Sequence, residues 1–451
     1  MKRKFAFLFS MTVVLSLLLA ACGGAGATAT NAPQPTEGGA VVEPTEGGAV
    51  AEGECPASAN GQAIEMWSPL TGPDGDEMTA LAQRFSSENG SGVTVTHVAQ
   101  PEYIQKLEAA AAAQQLPAMT VVRVVNVAQL AERNVLKPFG DEALGVLGAD
   151  FGSQVPANTW DPGEYEGARY SVPLDVHPLV MYYNKDMFAA AGIEEPGTEP
   201  MTREEFEAAL TALEESGVTP ISIGTAFQGA TLFQSFIRQF GGQLVSEDGT
   251  QAEFNSDAGV QALTYINDLK QKYTPEVSGP GDPEVQLFKQ GEAAIVVHGP
   301  WWISDLQQLP FAGFAPLPQV GDQYAVWAGS HQLGLTSDDP AQQAAAACWI
   351  KWLSENSAAW AAAGQVPVRN DVRESPELAN VAAPIAAVAP SIDNAILLPQ
   401  VPLLEGALWD AFGPAVDAVL MGEATDVKAA LDEAAATSQQ VLEENAASFS
   451  G

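Results

Sequence analysis

Basic residues are scarce in this chain. Its 451 residues contain 19 lysines and arginines against 56 aspartates and glutamates, which gives a formal net charge of −37 at pH 7. A protein this acidic repels phosphate backbones, so nucleic acids and polyanionic ligands are poor partners. The same charge favours solubility and is compatible with a cationic solute. Charge therefore excludes one class of partner and leaves neutral and cationic ligands open.

Catalytic and metal-binding motifs are also missing. The 4 histidines and 3 cysteines are scattered and show no metal-ligand spacing. There is no G-x-S-x-G elbow and no H-E-x-x-H pair, and the stretch from Gly224 to Gly229 lacks the lysine of a phosphate-binding loop. We therefore expect no metal, no cofactor and no enzymatic activity. A tethered glycoside-acting enzyme and a purely structural surface protein without a closable cleft are the alternatives of other classes.

The first residues have the composition of an export signal. The basic "MKRK" precedes the apolar run "FAFLFSMTVVLSLLLAA", which has signal-peptide length and is slightly short for a membrane span. Leu19-Ala20-Ala21-Cys22 resembles a bacterial lipobox, whose cysteine is lipidated and becomes the new N-terminus; the alternative is an ordinary secretory signal. We predict a lipoprotein signal peptide at 1–21 and an extracytoplasmic protein held to the cell membrane by a lipid on Cys22.

A tether follows the signal, at residues 22–57. Gly, Pro, Thr, Ala and Glu dominate it, and "PTEGGAV" occurs at 35–41 and again at 44–50. Such a segment cannot bury enough apolar surface to fold, so we expect it to be disordered. Near its end lies Cys55, which could form a disulfide with Cys348 in an oxidising compartment, although the sequence leaves this open.

From residue 62 onward, strand-like and helix-like segments alternate. "QAIEMWSPL", "GVTVTHVA" and "MTVVRVV" predict strands, whereas "PDGDEMTALAQRFSSENG" and "PEYIQKLEAAAAAQQ" predict the helices between them. Thr202 and Glu205 form a capping-box pattern before a helix that Gly217 ends. Repeated β-α units of this kind predict an α/β fold with mostly parallel sheets flanked by helices.

Four further segments occur in a recognisable order. They are "VPLDVHPLVMYYNKDMFAAAGI…PMTREEFEAAL", "LFKQGEAAIVVHGPWWISDL", "GLTSDDPAQQAAAACWIKWLSENSAAWAAAGQVPVRNDV" and "VPLLEGALWDAF". Together they resemble the extracellular solute-binding proteins of ABC importers, the sugar-binding family 1 that includes the maltose-binding protein. One departure is "LPAMTVVRV", which lacks the aspartate that the family usually carries after this helix.

The resemblance implies a two-lobed, type II periplasmic-binding-protein-like fold, in which crossover hinge strands join two α/β lobes. It places lobe one at 58–175 plus 313–355 and lobe two at 176–312 plus 356–451. It also implies a monomeric receptor that captures a mono- or oligosaccharide between the lobes and delivers it to the membrane and ATPase subunits of an importer. A receptor for a polyamine is the alternative, and it would place several carboxylates in the cleft.

Aromatic residues are the first candidates for such a site, because a sugar presents flat C–H faces to stack on and a rim of hydroxyls. Trp301 follows a Gly-Pro corner where the family places a stacking tryptophan, and Trp409 falls at the other stacking position. Trp302 should point to the opposite side, into the core. Trp67 ends the first strand, at the edge where α/β sheets bind ligands, and Trp327 enters a Gly-Ser turn near the cleft. For each, packing in the core is the alternative.

Polar candidates lie beside these rings. Asp175 and His177 flank the first crossover, and His177 matches the position where the maltose-binding protein has a carboxylate that accepts sugar hydroxyls. For a lone histidine the alternative is a structural hydrogen bond. The remaining candidates follow the first strand, the Gly-Ser turn and an unmatched loop, and they are Ser68, Asp74, His331 and Gln228. The tryptophans expected in the core are Trp349, Trp352 and Trp360.

Overall fold

The computed structural model describes residues 54–275, 277 and 281–449. The predicted signal peptide, the lipidation site Cys22 and nearly all of the tether lie outside the described residues. Among the residues described, no helix is both long enough and apolar enough to cross a membrane.

Strands and helices alternate through the described chain, as the sequence predicts. The strands are β1 (Ala63–Ser68), β2 (Thr94–Ala99), β3 (Met119–Arg123), β4 (Glu164–Tyr165), β5 (Ala168–Arg169), β6 (Ser171–Pro173), β7 (Asp175–Pro178), β8 (Val180–Asn184), β9 (Thr219–Ser222), β10 (Ala293–His298), β11 (Ala312–Pro316), β12 (Val326–Gly329), β13 (His331–Leu335), β14 (Val366–Pro367) and β15 (Ala395–Ile396). The helices are α1 (Pro73–Glu88), α2 (Tyr103–Ala112), α3 (Val127–Glu132), α4 (Asp141–Leu147), α5 (Ala157–Trp160), α6 (Lys185–Ala190), α7 (Arg203–Glu215), α8 (Phe227–Gln239), α9 (Asp257–Tyr273), α10 (Pro283–Lys289), α11 (Ile303–Leu306), α12 (Pro340–Glu355), α13 (Ser357–Trp360), α14 (Asn370–Arg373), α15 (Pro376–Val381), α16 (Ala383–Val388), α17 (Leu404–Leu420) and α18 (Val427–Phe449).

Two sheets form the centres of the two lobes. The first has the order β2-β1-β3-β13-β6 and the second has the order β11-β8-β10-β9. In the first, β1 runs parallel to β2 and β3, but β13 runs antiparallel to β3 and β6. In the second, β8 is antiparallel to β10 and β11, and only β9 and β10 are parallel. The expectation of mostly parallel sheets is therefore wrong: strands that arrive from the other lobe, without a helical crossover, enter in the opposite direction.

A third sheet, β14-β7-β12-β15, is the hinge between the lobes. The chain leaves the first sheet at β6, passes through β7 and enters the second sheet at β8. It returns from β11 through β12 to β13, so the second crossing falls at 326–331 and not at the expected boundary of 313, because β11 pairs with β8. Beyond α13, β14 crosses again by pairing with β7. The remaining lobe boundaries stay a prediction.

Each lobe has its own apolar core. The first lobe packs α1, α4 and α12 on its sheet, and Trp349 is fully buried against Phe85 there, at a ring distance of 5.2 Å. The second lobe packs α8, α9, α17 and α18 around a buried cluster that includes Phe233 and Phe412. Both terminal helices, α17 and α18, therefore belong to the second lobe.

The capping box at Thr202 is confirmed. The Thr202 side chain accepts from the backbone of Glu205, while the Glu205 carboxylate accepts from the backbone of Thr202.

The cysteine pairing that the sequence leaves open is present. Cys55 and Cys348 form a disulfide with their Cα atoms 5.6 Å apart, across a sequence separation of 293 residues. The bond ties the chain just before the first strand to α12, within the first lobe. The segment that precedes β1 is therefore covalently attached to the first lobe.

Candidate ligand-binding cleft

The corner after β10 positions Trp301. The strand is buried along its whole length and ends at His298, and Gly299 and Pro300 turn the chain. A Cβ atom at Gly299 would lie 2.0 Å from the Trp301 ring, so only glycine lets the indole fold back over the end of the strand. Trp302 turns the other way, as predicted, and its indole nitrogen donates to Asp282 Oδ2 at 3.1 Å.

Phe227 lies at the centre of a cluster of aromatic rings. Its ring centroid is 5.5 Å from that of Trp301, 5.3 Å from Trp327 and 6.1 Å from Trp409. Trp301 and Trp327 meet it edge to face, which is a favoured geometry for aromatic pairs. All four rings are half-buried rather than enclosed. We call Phe227, Trp301, Trp327 and Trp409 the aromatic cluster.

The backbone that presents Phe227 is strained and is held in place by side-chain hydrogen bonds. Ala226 has φ 57° and ψ −114°, which an L-residue adopts only at a cost of ~1–3 kcal/mol. Its N–H donates to Asp417 Oδ1 at 2.7 Å, from α17. Gln228 is fully buried and donates to the carbonyl of Val297 at 2.7 Å, and its amide oxygen accepts from the Gly224 N–H. The amide of Gln228 therefore fixes this corner, and we do not place it in the site.

At the hinge, a buried carboxylate gathers groups from three segments. Asp175 on β7 is completely buried. Its oxygens accept from the backbone N–H of His331 at 3.0 Å, from the His331 ring at 2.8 Å and from the indole N–H of Trp360 at 2.7 Å. The ring nitrogen Nδ1 of His177 lies 3.4 Å from the same carboxylate. Asp175 is thus a structural anion with no face open to a ligand.

His177 connects this carboxylate to the aromatic cluster. Its ring centroid lies 6.0 Å from Trp301, 6.4 Å from Trp327 and 4.8 Å from His331. A Cβ at Gly329 would come within 2.1 Å of its Nε2 atom, so glycine at this position makes room for the ring. His177 therefore lies beside the aromatic cluster, and its contact with a ligand stays a prediction.

The hinge groups have shifted proton affinities. Burial would raise the pKa of Asp175, but the two histidines hold it well below its usual range. Burial lowers the pKa of His177, and its contact with Asp175 only partly opposes this. Burial also acts to lower the pKa of His331, but attraction to Asp175 outweighs burial and the pKa is raised. His331 is therefore the first of the two rings to take a proton.

The first lobe offers mainly polar groups to the cleft. Arg123, at the end of β3, forms a salt bridge with Glu405 at the start of α17, which joins the two lobes. Ser68 is fully buried and its hydroxyl lies 2.6 Å from His97 Nε2. Asp74, in the first turn of α1, accepts from the backbone N–H groups of Gly72 and Gly75. Ser68 and Asp74 are thus engaged in local structure.

Trp67 occupies a different place from the other candidate tryptophans. Its indole N–H donates to Glu65 Oε1 at 2.5 Å, and its ring packs beside a small first-lobe cluster that includes Leu107 and Val122. It lies at the carboxyl edge of the first sheet, as predicted, without joining the aromatic cluster.

Two neighbouring cavities lie near the lobe junction, and only the smaller one is lined by members of the aromatic cluster, Trp327 and Trp409. A narrow one of about 20 Å³ lies between Arg123 and Glu405 on one side and Trp327 and Trp409 on the other. A larger one of about 700 Å³ shares Gln234, Leu244 and residues 396–398 with it. Its other lining residues come from both lobes and include Asn158, Glu164, Arg238 and Gln243. The volume of the larger cavity is that of a small-molecule site.

Two groups of donor atoms are close enough to be considered for a metal ion. The first is Asp175 with His177 and His331, and the second is Asp282 with Glu284 and His298. In the first, the 2.8 Å contact of His331 with Asp175 is a hydrogen bond. In the second, Nδ1 of His298 accepts from the Gly299 N–H at 2.9 Å, and Nε2 faces Asp282 and Glu284 at 3.6 and 3.7 Å. In each group one histidine nitrogen, Nδ1 of His177 or Nε2 of His298, is buried and has no hydrogen-bond partner among the described residues.

The structure brings together only part of the predicted set. Trp301, Trp327, Trp409 and His177 meet, and Asp175 and His331 lie directly behind them. The sequence analysis misses Phe227, because the loop before α8 carries no distinctive motif. It also misses Arg123 and Glu405, although the position of Arg123 at the carboxyl end of a strand is the signal that singled out Trp67.

Comparison with known proteins assigns the family. Residues 69–360 match the family described as bacterial extracellular solute-binding protein. A curated relative, the sn-glycerol-3-phosphate-binding periplasmic protein UgpB of Pectobacterium atrosepticum, is 26% identical over 328 residues, which cover 67% of this chain and 73% of the relative.

Solved structures give the same fold. The cyclic alpha-maltosyl-1,6-maltose binding protein of Arthrobacter globiformis is 25% identical with a TM-score of 0.72, over 85% of this chain and 99% of the other. The GacH receptor of Streptomyces glaucescens, solved unliganded and with acarbose, is 25% identical with a TM-score of 0.70, over 85% and 98%. The sugar-binding protein MalE of Xanthomonas citri has a TM-score of 0.75 over 86% and 99%, but at 22% identity it supports the fold alone.

Proposed function

This chain belongs to the bacterial extracellular solute-binding proteins, which are substrate-binding proteins and not enzymes, and we propose that its ligand is a neutral mono- or oligosaccharide. The observation that carries the proposal is the aromatic cluster. Four half-buried aromatic side chains meet at a lobe junction, and each remains partly accessible to solvent. The flat faces of such rings match the C–H faces of a pyranose, and tryptophan loses little entropy when it stacks.

The charges near the cluster favour a neutral ligand over an anion. Of the described residues that line the narrow cavity, Arg123 is the one cation, and Glu405 already neutralises it. The His331 ring is likewise paired with Asp175. A phosphate group such as that of sn-glycerol-3-phosphate would need an unpaired cation, because burying an uncompensated charge is costly. This accounting holds for the narrow cavity, because Arg238, which lines the larger one, forms no salt bridge with the described residues.

Beside the cluster the same accounting disfavours a polyamine, whereas the larger cavity is lined by Asp161, Glu164, Glu247 and Asp393. The acids nearest the cluster already have partners: Asp175 is bonded to His331 and Trp360, and Asp417 accepts from the backbone of Ala226. A polyamine would need carboxylates that face the ligand between the rings. The larger cavity of about 700 Å³ supports an oligosaccharide, because it shares lining residues with the narrow cavity beside Trp327 and Trp409 and so offers space for further sugar units.

Ligand capture would work by closure of the two lobes. A sugar stacked on second-lobe rings and hydrogen-bonded to first-lobe groups binds the closed form better than the open one, and so shifts the equilibrium toward it. The importer subunits would then recognise the closed form. In this proposal the hinge sheet is the element that bends.

A thermal-shift and calorimetry screen tests the ligand class. We expect maltotriose or a cyclic tetrasaccharide at 100 times its Kd to stabilise the folded protein by ~2.7 kcal/mol. Spermidine and sn-glycerol-3-phosphate, at the same concentrations, should leave the unfolding temperature unchanged. Stabilisation by either of these two and by no saccharide would overturn the proposal.

We further propose that the protein is held outside the cytoplasmic membrane by a lipid on Cys22, with residues 22–57 as tether. The lipobox-like sequence before Cys22 supports this, together with the extracellular family. Metabolic labelling with a fatty acid should mark the wild-type protein. The Cys22→Ser variant should be unlabelled and released from membranes; a variant that stays labelled would contradict the anchor.

A further inference from the structure

One buried side chain on α8 lacks the hydrogen bonds that its neighbours make. Gln234 is 4% exposed, and its Nε2 atom is buried without a hydrogen-bond partner among the described residues. It lines both the narrow cavity and the larger one. We propose that Gln234 is a ligand-contacting residue, whose amide donates to a hydroxyl of a saccharide unit in the larger cavity and thereby favours oligosaccharides over shorter sugars. This inference rests on the proposed function, in that the ligand is taken to be a saccharide.

The first argument is a comparison along one helix. Gln228, Gln234 and Gln239 are the glutamines of α8, and all of them are buried. Nε2 of Gln228 donates to the carbonyl of Val297 at 2.7 Å, and Nε2 of Gln239 donates to the carbonyl of Ala325 at 2.9 Å. The amide oxygens of these two residues also accept from backbone N–H groups. Two of the glutamines therefore serve the fold, whereas the Nε2 atom of Gln234 has no such bond in the part of the chain that the structure describes.

An unpaired buried amide destabilises the ligand-free protein. Its N–H groups have lost their water without gaining an acceptor, and buried polar groups in folded proteins nearly always have partners. A methionine at this position would fill a similar volume without that loss. A donor that the free protein does not use is what a site needs in order to recognise a ligand hydroxyl.

The position of Gln234 connects the aromatic cluster to the larger cavity. Gln234 follows Phe227 by seven positions on α8, so the two residues lie on the same face of the helix, about 10 Å apart along its axis. The narrow cavity brings Gln234 together with Trp327 and Trp409. The larger cavity is also lined by Gln234, together with Asn158 and other residues outside the cluster. Gln234 therefore stands where a ligand would pass from the stacking rings into the larger space.

The chemistry of the larger cavity favours a hydroxylated ligand. Ile237 and Leu244 give it apolar surface, and its acidic lining residues are Asp161, Glu164, Glu247 and Asp393. These carboxylates accept hydrogen bonds, whereas the unpaired Nε2 of Gln234 donates. A hydroxyl can satisfy both, because it donates and accepts. An ammonium group has no acceptor to offer Gln234, and an anion would be repelled by the carboxylates.

A water molecule is the alternative acceptor for Gln234. The narrow cavity of about 20 Å³ has room for about one. An ordered water would make the amide part of the fold, as the backbone carbonyls do for Gln228 and Gln239. A ligand contact instead leaves the amide unpaired until the ligand binds. The two cases differ in the stability of the ligand-free protein.

Urea unfolding of three variants tests the inference without any ligand. Gln234→Met should leave the unfolding midpoint unchanged or raise it, because an unpaired amide is replaced by an apolar side chain of similar length. Gln228→Met and Gln239→Met are matched controls on the same helix and should lower the midpoint, since each leaves buried backbone groups without partners. A midpoint in Gln234→Met that falls as far as in the controls would show that the amide is bonded within the protein, directly or through water, and would overturn the inference.

Calorimetry with maltose and maltotriose supplies the functional readout. Gln234→Met should raise the Kd of maltotriose by about 10-fold, as expected for one lost buried hydrogen bond. The ratio of the maltose Kd to the maltotriose Kd should fall, because the longer sugar has the unit that reaches the larger cavity. An unchanged Kd for maltotriose, or an equal loss for both sugars, would contradict the inference. If neither sugar binds the wild type, the saccharide proposal fails, and the unfolding comparison still decides whether the amide of Gln234 is unpaired.

Discussion

The two faces of the cleft differ in chemistry. The second lobe and the hinge contribute Phe227 and the three tryptophans that contact its ring, Trp301, Trp327 and Trp409, and all four are half-buried. The first lobe contributes groups that are charged or already hydrogen-bonded, such as Arg123 with its partner Glu405. The aromatic face should supply most of the binding free energy, because buried aromatic anchors dominate recognition. The polar face should contribute little binding free energy, because exposed ion pairs are weak. We expect it instead to hold the closed form and to select among ligands.

The sharpest test of this difference is Trp301→Ala. Loss of a stacking platform should raise the Kd of maltotriose by about 100-fold or more, as truncation of a central aromatic anchor does elsewhere. Isothermal titration calorimetry measures it. Trp352→Ala is the matched control, because that tryptophan stacks on Trp349 at 5.7 Å in the first lobe. An unchanged Kd in Trp301→Ala, with lowered stability, would show that Trp301 is a packing residue.

The next largest expected effect is a loss of stability in the first lobe, with ligand binding unchanged. In the double variant Cys55→Ser, Cys348→Ser, the disulfide that attaches the start of the body to α12 is gone. We expect a loss of ~2–4 kcal/mol in the free energy of unfolding, through greater freedom of the unfolded chain. Urea unfolding measures this, and Kd should change by less than about twofold. A tenfold weaker Kd would contradict the separation of stability from recognition.

The two faces were also unequally predictable from the sequence. Trp301 and Trp302 were assigned to different sides from the alternation of a strand, whereas the structure separates them by a 3-10 turn, in which successive side chains are about 120° apart. The two-lobed fold followed from motif order. The second crossing could not be located, because β11 looks like any apolar strand until its pairing with β8 is known.

Phe227 and Asp175 show why the rest escaped prediction. Phe227 reaches the cluster because the backbone at Ala226 adopts a positive φ, and its N–H is held by Asp417, which is 191 positions away in sequence. Asp175 was predicted as a ligand contact, but the structure buries it beneath His331 and Trp360, 156 and 185 positions away. Such roles depend on where distant segments meet, which residue type and spacing do not encode.

Phe227→Ala should weaken binding less than Trp301→Ala, by roughly 10-fold, since the ring supports its neighbours as well as presenting its own face. The measurement is again the Kd of maltotriose. Phe227→Leu separates the two contributions, because leucine fills much of the volume without offering a flat face. If stacking matters, the leucine variant binds as weakly as alanine while unfolding at nearly the wild-type temperature. Full affinity in the leucine variant would assign Phe227 to packing alone.

The smallest effect should come from the polar face. Arg123 and Glu405 bridge the lobes, but their side chains are 44% and 27% exposed, so solvent screens the pair and its contribution is about 0.2–1 kcal/mol. Arg123→Gln and Glu405→Gln should each raise the Kd of maltotriose about two- to threefold, because both remove the same link across the closed cleft. The double variant should resemble either single one, which a double-mutant cycle measures. The wild-type Kd should rise with added salt and that of the double variant should not. Additive effects, or a wild-type Kd that does not respond to salt, would show that the two charges act separately, and the polar face would then contribute to recognition by contacts other than this bridge.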